Sequence, residues 1–228
     1  RWFLIPRSDY TIEDTWFVSG LRGTGSKDIV IEETFVPEHR AGNVAAMREG
    51  QSPGRELHGS CNYQIPHTSM LSYTLAAPVL GIAQGALETF EEQVMGRTTY
   101  TTGEKLGENS SVHIRLSEGE AEIHSARLIM KNDGEEVFAQ IRRGEMPSIS
   151  QRARFRRNQA YVAKLSAQAV DRLFEASGGH VLFNSNPMQR FHRDAHAASH
   201  HFGIHWETLA EEYGRVRLGL ELKNPGRV

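Results

Sequence analysis

From Ser69 onward the apolar residues recur every three or four positions. Leu75, Val79, Ile82, Ala86, Phe90 and Val94 form one stripe, which predicts a buried helix from Ser69 to near Gly96. A second helix is expected from about Ser110 to Gly144, with Ile114, Ala121, Leu128 and Phe138 among its apolar positions and a kink at Asn132-Asp133-Gly134. A third runs from Ser150 to Ala176 on Val162, Leu165, Ala169 and Leu173, and stops at Ser177-Gly178-Gly179, where glycine suits the left-handed residue after a helix. Pro187 suits the first turn of a fourth, through about His201. Helices joined by short links favour an antiparallel four-helix bundle.

Upstream the pattern changes. Before about residue 45 the apolar residues are β-branched or aromatic and come in short runs, so Trp2 to Pro6, Thr15 to Gly20 and Asp28 to Pro37 are expected as strands. These strands are too few to close a sheet alone. Residues 41–69, with Gly42, Gly50, Pro53, Gly54, Gly59 and Pro66, read as a polar surface crossover between the halves. The expected class is α+β, with a partial β region over residues 1–68 and a helical bundle over residues 69–228.

Composition narrows the partners. Among 228 residues, 26 Lys plus Arg face 28 Asp plus Glu, a net charge of -2 that argues against a broad electrostatic grip on nucleic acid or an anionic membrane. The most apolar stretch, Thr74 to Leu87, is broken by Pro78 and Gln84 and falls short of the roughly 18 residues that a membrane span needs. A lone cysteine, Cys61, makes no internal disulfide, so a cytoplasmic setting is expected. Arg1 is followed by Trp-Phe-Leu-Ile-Pro, neither an initiator methionine nor a signal peptide, and missing upstream sequence is expected.

Six of the eleven histidines lie between His180 and His205, and His192, His196 and His200 recur every four residues, which stacks them on one helix face. A metal site would need carboxylates at ligand spacing, and no Glu stands three residues before any histidine. The expectation is therefore no metal, with His192 and His200 as partly exposed polar residues, or one buried histidine acting as a base or hydrogen-bond donor. Gly20-Leu21-Arg22-Gly23-Thr24-Gly25-Ser26 has the look of a phosphate loop but sits between strands with no helix dipole. It reads either as a glycine turn or as a pocket wall. The basic run Arg152, Arg154, Arg156 and Arg157 has Phe155 as its only aromatic, and a solvated helix face or subunit contact is expected. No local feature marks the Cys61 thiol as activated, so a nucleophile is not expected there.

Three segments together resemble one family. Trp16-Phe17-Val18-Ser19-Gly20-Leu21-Arg22-Gly23-Thr24-Gly25-Ser26-Lys27-Asp28, followed by Thr34-Phe35-Val36-Pro37, is similar to the β-domain signature of flavin-dependent monooxygenases with the acyl-CoA dehydrogenase fold. Phe174-Glu175-Ala176-Ser177-Gly178-Gly179 and Asn186-Pro187-Met188-Gln189-Arg190-Phe191-His192-Arg193-Asp194 resemble the family's C-terminal helices. The resemblance implies that residues 1–68 are the last part of a middle β domain and 69–228 the C-terminal bundle, with the helical N-terminal domain absent. It implies a two-component system, in which a separate NAD(P)H-dependent reductase supplies reduced FMN or FAD, and this component uses O2 to hydroxylate an aromatic substrate, a phenol first among them, as a homotetramer. No metal enters that chemistry.

The resemblance also assigns residues. In one large branch of acyl-CoA dehydrogenases a glutamate base follows the Arg-Asp pair by about two helical turns; here Ser199-His200-His201-Phe202 stands there. His201 aligns with the histidine that faces the substrate hydroxyl in aromatic hydroxylases, with His200 beside it as a substrate contact. Arg97 resembles an arginine that reaches a flavin phosphate, Gly178 and Gly179 would let backbone approach the cofactor, and Thr24 and Ser26 would border flavin or substrate. Arg193 and Asp194 are expected as a structural or subunit ion pair. The rival readings are an acyl-CoA dehydrogenase or nitroalkane-oxidase-like oxidase on the same fold, and a non-catalytic assembly subunit that has lost flavin.

Overall fold

The computed structural model describes residues 1–99 and 102–228. Four short strands come first: β1 (Trp2–Phe3), β2 (Thr11–Glu13), β3 (Asp28–Val30) and β4 (Ala41–Gly42). They pair as two antiparallel ribbons, β1 with β4 and β2 with β3, in the registers Trp2↔Gly42 and Ile12↔Ile29. The expected strand over Thr15–Gly20 is absent, and the one expected over Asp28–Pro37 ends at Val30. The reason is lateral: a strand exists only where a neighbour accepts its hydrogen bonds, and that neighbour is Thr11–Glu13. Phe17 and Phe35 are left 84% and 89% exposed, so the aromatic pattern that suggested long strands has no partner layer among the described residues.

The crossover is not purely irregular. It holds α1 (Val44–Arg48), α2 (Gly54–Leu57) and α3 (His67–Met70). Asn43 starts α1 by accepting the Ala46 N–H at 3.2 Å, which satisfies one of the free donors of its first turn.

The bundle follows as α4 (Tyr73–Met95), α5 (Ser110–Arg142), α6 (Ile149–Ala176) and α7 (Pro187–Ser199). Each start is chemically marked. Asn109 accepts the Ser111 N–H, Ser148 and Gln151 form a reciprocal capping box, and Asn186 accepts the Met188 N–H beside Pro187 at the first helical position. By length and composition alone the apolar run His67–Met95 could cross a membrane. Instead α4 buries nine residues, from Tyr73 to Val94, against α5, α6 and α7.

Central to the bundle is α6, which packs against α4, α5, α7 and a fifth long helix, α8 (Trp206–Arg217), that periodicity did not reveal. The reason lies in Glu212. This carboxylate is 1% exposed and accepts backbone N–H groups from Lys223 and Asn224, so a charged residue occupies the core-facing stripe beside Leu209.

No break occurs in α5 at Asn132-Asp133-Gly134. Asp133 is buried and accepts hydrogen bonds from the Tyr73 hydroxyl at 2.6 Å and Asn158 Nδ2 at 2.9 Å, so tertiary bonds override the local helix-breaking tendency. Burial drives the Asp133 carboxyl and the Tyr73 phenol above their ordinary pKa values.

The arginine run is likewise not a solvated face. Arg152 and Arg156 are each 6% exposed. Arg152 grips both oxygens of Glu49 at 3.0 Å, which ties α6 to the residue ending α1, while Arg154 pairs with Glu136 and Arg157 lies over the Tyr213 ring.

Candidate active site

Where α7 ends, Phe202–Ile204 forms a single 3-10 turn whose first cap is His201. His201 Nδ1 accepts the Gly203 N–H at 3.0 Å, which requires Nδ1 to be unprotonated. The neutral ring therefore carries its proton on Nε2. Burial holds the His201 pKa below its ordinary value, so the neutral form prevails near pH 7. Phe202, 70% exposed, lies alongside with ring centroids 4.6 Å apart.

The turn is fastened from below by a buried guanidinium. Arg156 Nη2 donates to Gly203 O at 3.1 Å, the peptide whose N–H orients His201, and Arg156 Nε donates to Arg227 O at 2.7 Å. Arg156 Nη1 donates to Ser72 Oγ and to Gln159 Oε1. From the other side Arg227 Nη1 donates to Phe202 O at 3.0 Å. Desolvation pulls the Arg156 pKa down to about 10, so it is still charged at neutral pH. Sequence reasoning placed Arg156 on a solvated helix face or subunit contact and did not single out Arg227.

Burial also lowers the pKa of His67. Below the ordinary histidine value of 6.5 the unfolded chain binds protons at His67 and His201 that the folded chain resists. Stability contributed by these groups is therefore intact above that value and falls as pH drops toward their lowered folded values. A urea midpoint measured at about pH 7.5 and again at about pH 5.5 should be lower at the acid pH, by less in His201→Gln than in the parent.

The glycine loop docks on α7. Asp194 Oδ1 accepts the Leu21 N–H at 2.6 Å, and Arg193 Nη1 donates to Ser19 O at 2.8 Å. The expected Arg193–Asp194 ion pair is not formed among the described residues, because each side chain holds loop backbone instead. Leu21 takes a left-handed backbone (φ 53°), a strained state for a side chain of this kind, and its carbonyl accepts from Trp16 Nε1 at 3.0 Å and Thr24 Oγ1 at 2.9 Å. Thr24 and Ser26 are exposed, their hydroxyl oxygens 3.4 Å apart, and neither is hydrogen-bonded to His200 or His201. A Cβ on Gly20 would lie 2.1 Å from Arg193 O. Gly20→Ala should therefore cost about 1–3 kcal/mol and lower the thermal midpoint, whereas Gly23→Ala, with open space around it, should not.

Arg97, Gly178 and Gly179 come together at the far end of α6. Arg97 Nη1 donates to Ser177 O at 2.9 Å, directly before the glycines, and pairs with no carboxylate among the described residues. Gly178 adopts φ +69°, a backbone state that favours glycine, and neither glycine has an atom within 4 Å of where a Cβ would stand. Open backbone beside a guanidinium with unused donors fits the phosphate end of a nucleotide-like cofactor.

His200 diverges from His201. Its Nδ1 meets His196 O at 2.7 Å, and it lines a groove of about 250 Å³ between α6, α7 and α8 with Asp171, His196 and Trp206. Asp171, which α7 spacing could not reveal, faces both His192 and His196 from α6.

Residues 73–206 match the acyl-CoA dehydrogenase C-terminal domain family. Over 221 residues the chain is 36% identical to the flavin-dependent monooxygenase oxygenase subunit HsaA of Rhodococcus jostii, covering 96% of this chain and 58% of that protein. It is 34% identical to the FADH(2)-dependent resorcinol hydroxylase oxygenase component of a Rhizobium species, covering 96% of this chain and 56% of that protein. Among solved structures it matches XiaF from a Streptomyces species, in complex with FADH2 and glycerol, at a TM-score of 0.89 and 27% identity over 98% of this chain and 56% of that one. The chain thus spans little more than half the length of these relatives.

Proposed function

The chain belongs to the acyl-CoA dehydrogenase C-terminal domain family, and from that premise and its likeness to monooxygenase oxygenase subunits we propose that it is part of a flavin-dependent monooxygenase that hydroxylates a phenolic substrate. Residues 1–68 are then the end of a β domain and 69–228 the C-terminal bundle. The single observation that carries the reading is the locked tautomer of His201. With Nδ1 committed to the Gly203 N–H, Nε2–H is the group offered to a ligand.

Bound reduced FMN or FAD, made by a separate NAD(P)H-dependent reductase, would supply the electrons that activate O2. The protein's own residues perform the rest. Nε2–H of a neutral His201 donates to the oxygen of a phenol that has released its proton to solvent, and so stabilises the phenolate, which raises electron density on the ring to be attacked. Of the two histidine roles, base or hydrogen-bond donor, this is the donor: the imidazole stabilises the anion by donation, and burial, which lowers its pKa, disfavours the imidazolium. Arg156 and Arg227 hold the donor in place. Arg97, with the bare backbone of Gly178 and Gly179, takes the flavin phosphate. Phe202, Phe17 and Phe35 are apolar surface that further protein would cover to exclude water.

The remaining parts of the proposal are a homotetramer, a cytoplasmic setting where NAD(P)H is available, and Thr24, Ser26 and His200 at the substrate rim. An acyl-CoA dehydrogenase-type reaction is disfavoured because Phe202 and the histidines occupy the stretch where a carboxylate base would stand. Equilibrium titration of the full-length protein with anaerobically reduced FMN and FAD tests the cofactor reading. Saturable binding weakened tenfold or more by Arg97→Met supports it; no binding of either flavin points to the assembly-subunit alternative.

A further inference from the structure

On the face of α7 turned toward α6, His192 and His196 stand one helical turn apart and aim their Nε2 atoms at one oxygen. His192 Nε2 is 3.2 Å and His196 Nε2 2.6 Å from Asp171 Oδ1, and all three donor atoms lie within 4.8 Å of one another. We infer that Asp171, His192 and His196 form a site for a late first-row divalent ion of the zinc type, bridging α6 and α7. The inference is independent of the flavin reading and concerns residues that reading does not use.

The donor set and its spacing carry the argument. Zinc takes imidazole nitrogen and carboxylate oxygen at about 2.0–2.2 Å, so tetrahedral ligand atoms sit about 3.3 Å apart. The His192–Asp171 separation is already near that value, and His196 needs to open by less than about 1 Å. Two imidazoles with one carboxylate suit zinc, cobalt and nickel better than calcium or magnesium, which prefer oxygen.

Orientation is largely paid for in advance. The His192 ring stacks on Phe174 at 4.3 Å and 26°, and lies 4.5 Å from the His196 ring, which restricts both imidazoles to converging rotamers. Asp171 has no Lys or Arg partner among the described residues. The nearby Lys164 ammonium sits over the Trp206 ring at 4.6 Å instead of pairing with it. The three side chains are 32–40% exposed, and His196 and Asp171 border the groove of about 250 Å³, so an ion can enter and keep water as its fourth ligand. On binding, each neutral ring moves its proton from Nε2 to Nδ1, and the carboxylate stays ionised.

The expectation of no metal drawn from sequence rested on short-range spacing, with no Glu three residues before any histidine; here the carboxylate comes from α6, 21 residues before His192 and therefore invisible to a local motif.

Equilibrium dialysis of the chelator-stripped full chain against zinc, with bound metal counted by elemental analysis, tests the site. The expected result is one zinc retained per chain at micromolar free ion, lost in Asp171→Asn and in His196→Gln, and kept in the remote control His113→Gln. A parent protein that retains no zinc, or variants that retain as much as the parent, overturns the inference. Should the variants fail to fold by circular dichroism, histidine 15N resonances of the parent decide. Zinc-induced shifts at Nε2 of His192 and His196 support the site, and shifts confined to other histidines refute it.

Discussion

Arg156→Met is expected to destabilise the folded chain by about 3 kcal/mol, the largest effect of any single substitution on α6. Methionine keeps the volume but removes every donor, which leaves Gly203 O, Arg227 O and Gln159 Oε1 without the partner they have in a buried setting. A lysine in its place restores a charge but not the fork that reaches two separate carbonyls, so Arg156→Lys should recover little. Urea denaturation would show the loss as a lower midpoint at unchanged slope. An unfolding free energy within about 0.5 kcal/mol of the parent's would mean that the hydrogen bonds of this guanidinium contribute nothing net.

His201→Ala is expected to have the largest effect on chemistry. It should lower hydroxylated product about 100-fold, with hydrogen peroxide rising in its place, while reduced-flavin affinity stays within about twofold. The separation follows from geometry. His201 belongs to the turn after α7, whereas Arg97, Gly178 and Gly179 gather at the C-terminal end of α6, so the two functions can be damaged independently. Arg97→Met should show the opposite pattern, a loss of flavin binding with normal coupling in whatever complex forms. If His201→Ala couples flavin oxidation to hydroxylation as well as the parent, His201 has no part in the mechanism.

The bundle was legible because its helices follow simple periodicity and carry marked ends, such as Ser148 with Gln151 and Asn186 with Pro187. Where polar residues hold core positions, that reading failed. Arg152 and Arg156 continue, by steps of four and three, the stripe formed by Gln159, Ala163, Ser166, Val170 and Leu173, all nearly inaccessible. Arginines in phase with an apolar stripe could have been read as buried; their charge suggested a solvated face. Glu212 concealed α8 in the same way. Strand limits were legible only approximately, because Phe17 and Phe35 have strand-forming character but no neighbouring strand among the described residues.

The candidate site divides similarly. His201, Arg97 and the paired glycines came from resemblance, and the structure adds how they are held: a backbone N–H on Nδ1 for His201, and the Ser177 carbonyl for Arg97. Asp194 and Arg193 were visible as a motif but not as the clamp on the loop at Leu21 and Ser19. Contacts of this kind join residues more than 170 positions apart, and no local spacing encodes them.

The most direct test of the central claim supplies the full-length protein with a flavin reductase, NADH, a phenol and isotopically labelled O2, and follows the ring product by mass spectrometry. The expected product carries one labelled oxygen and forms in step with NADH consumption in the parent, but not in His201→Ala. Flavin reoxidation that yields only peroxide with every phenol tried, or desaturation of an acyl thioester in place of ring hydroxylation, would contradict the account.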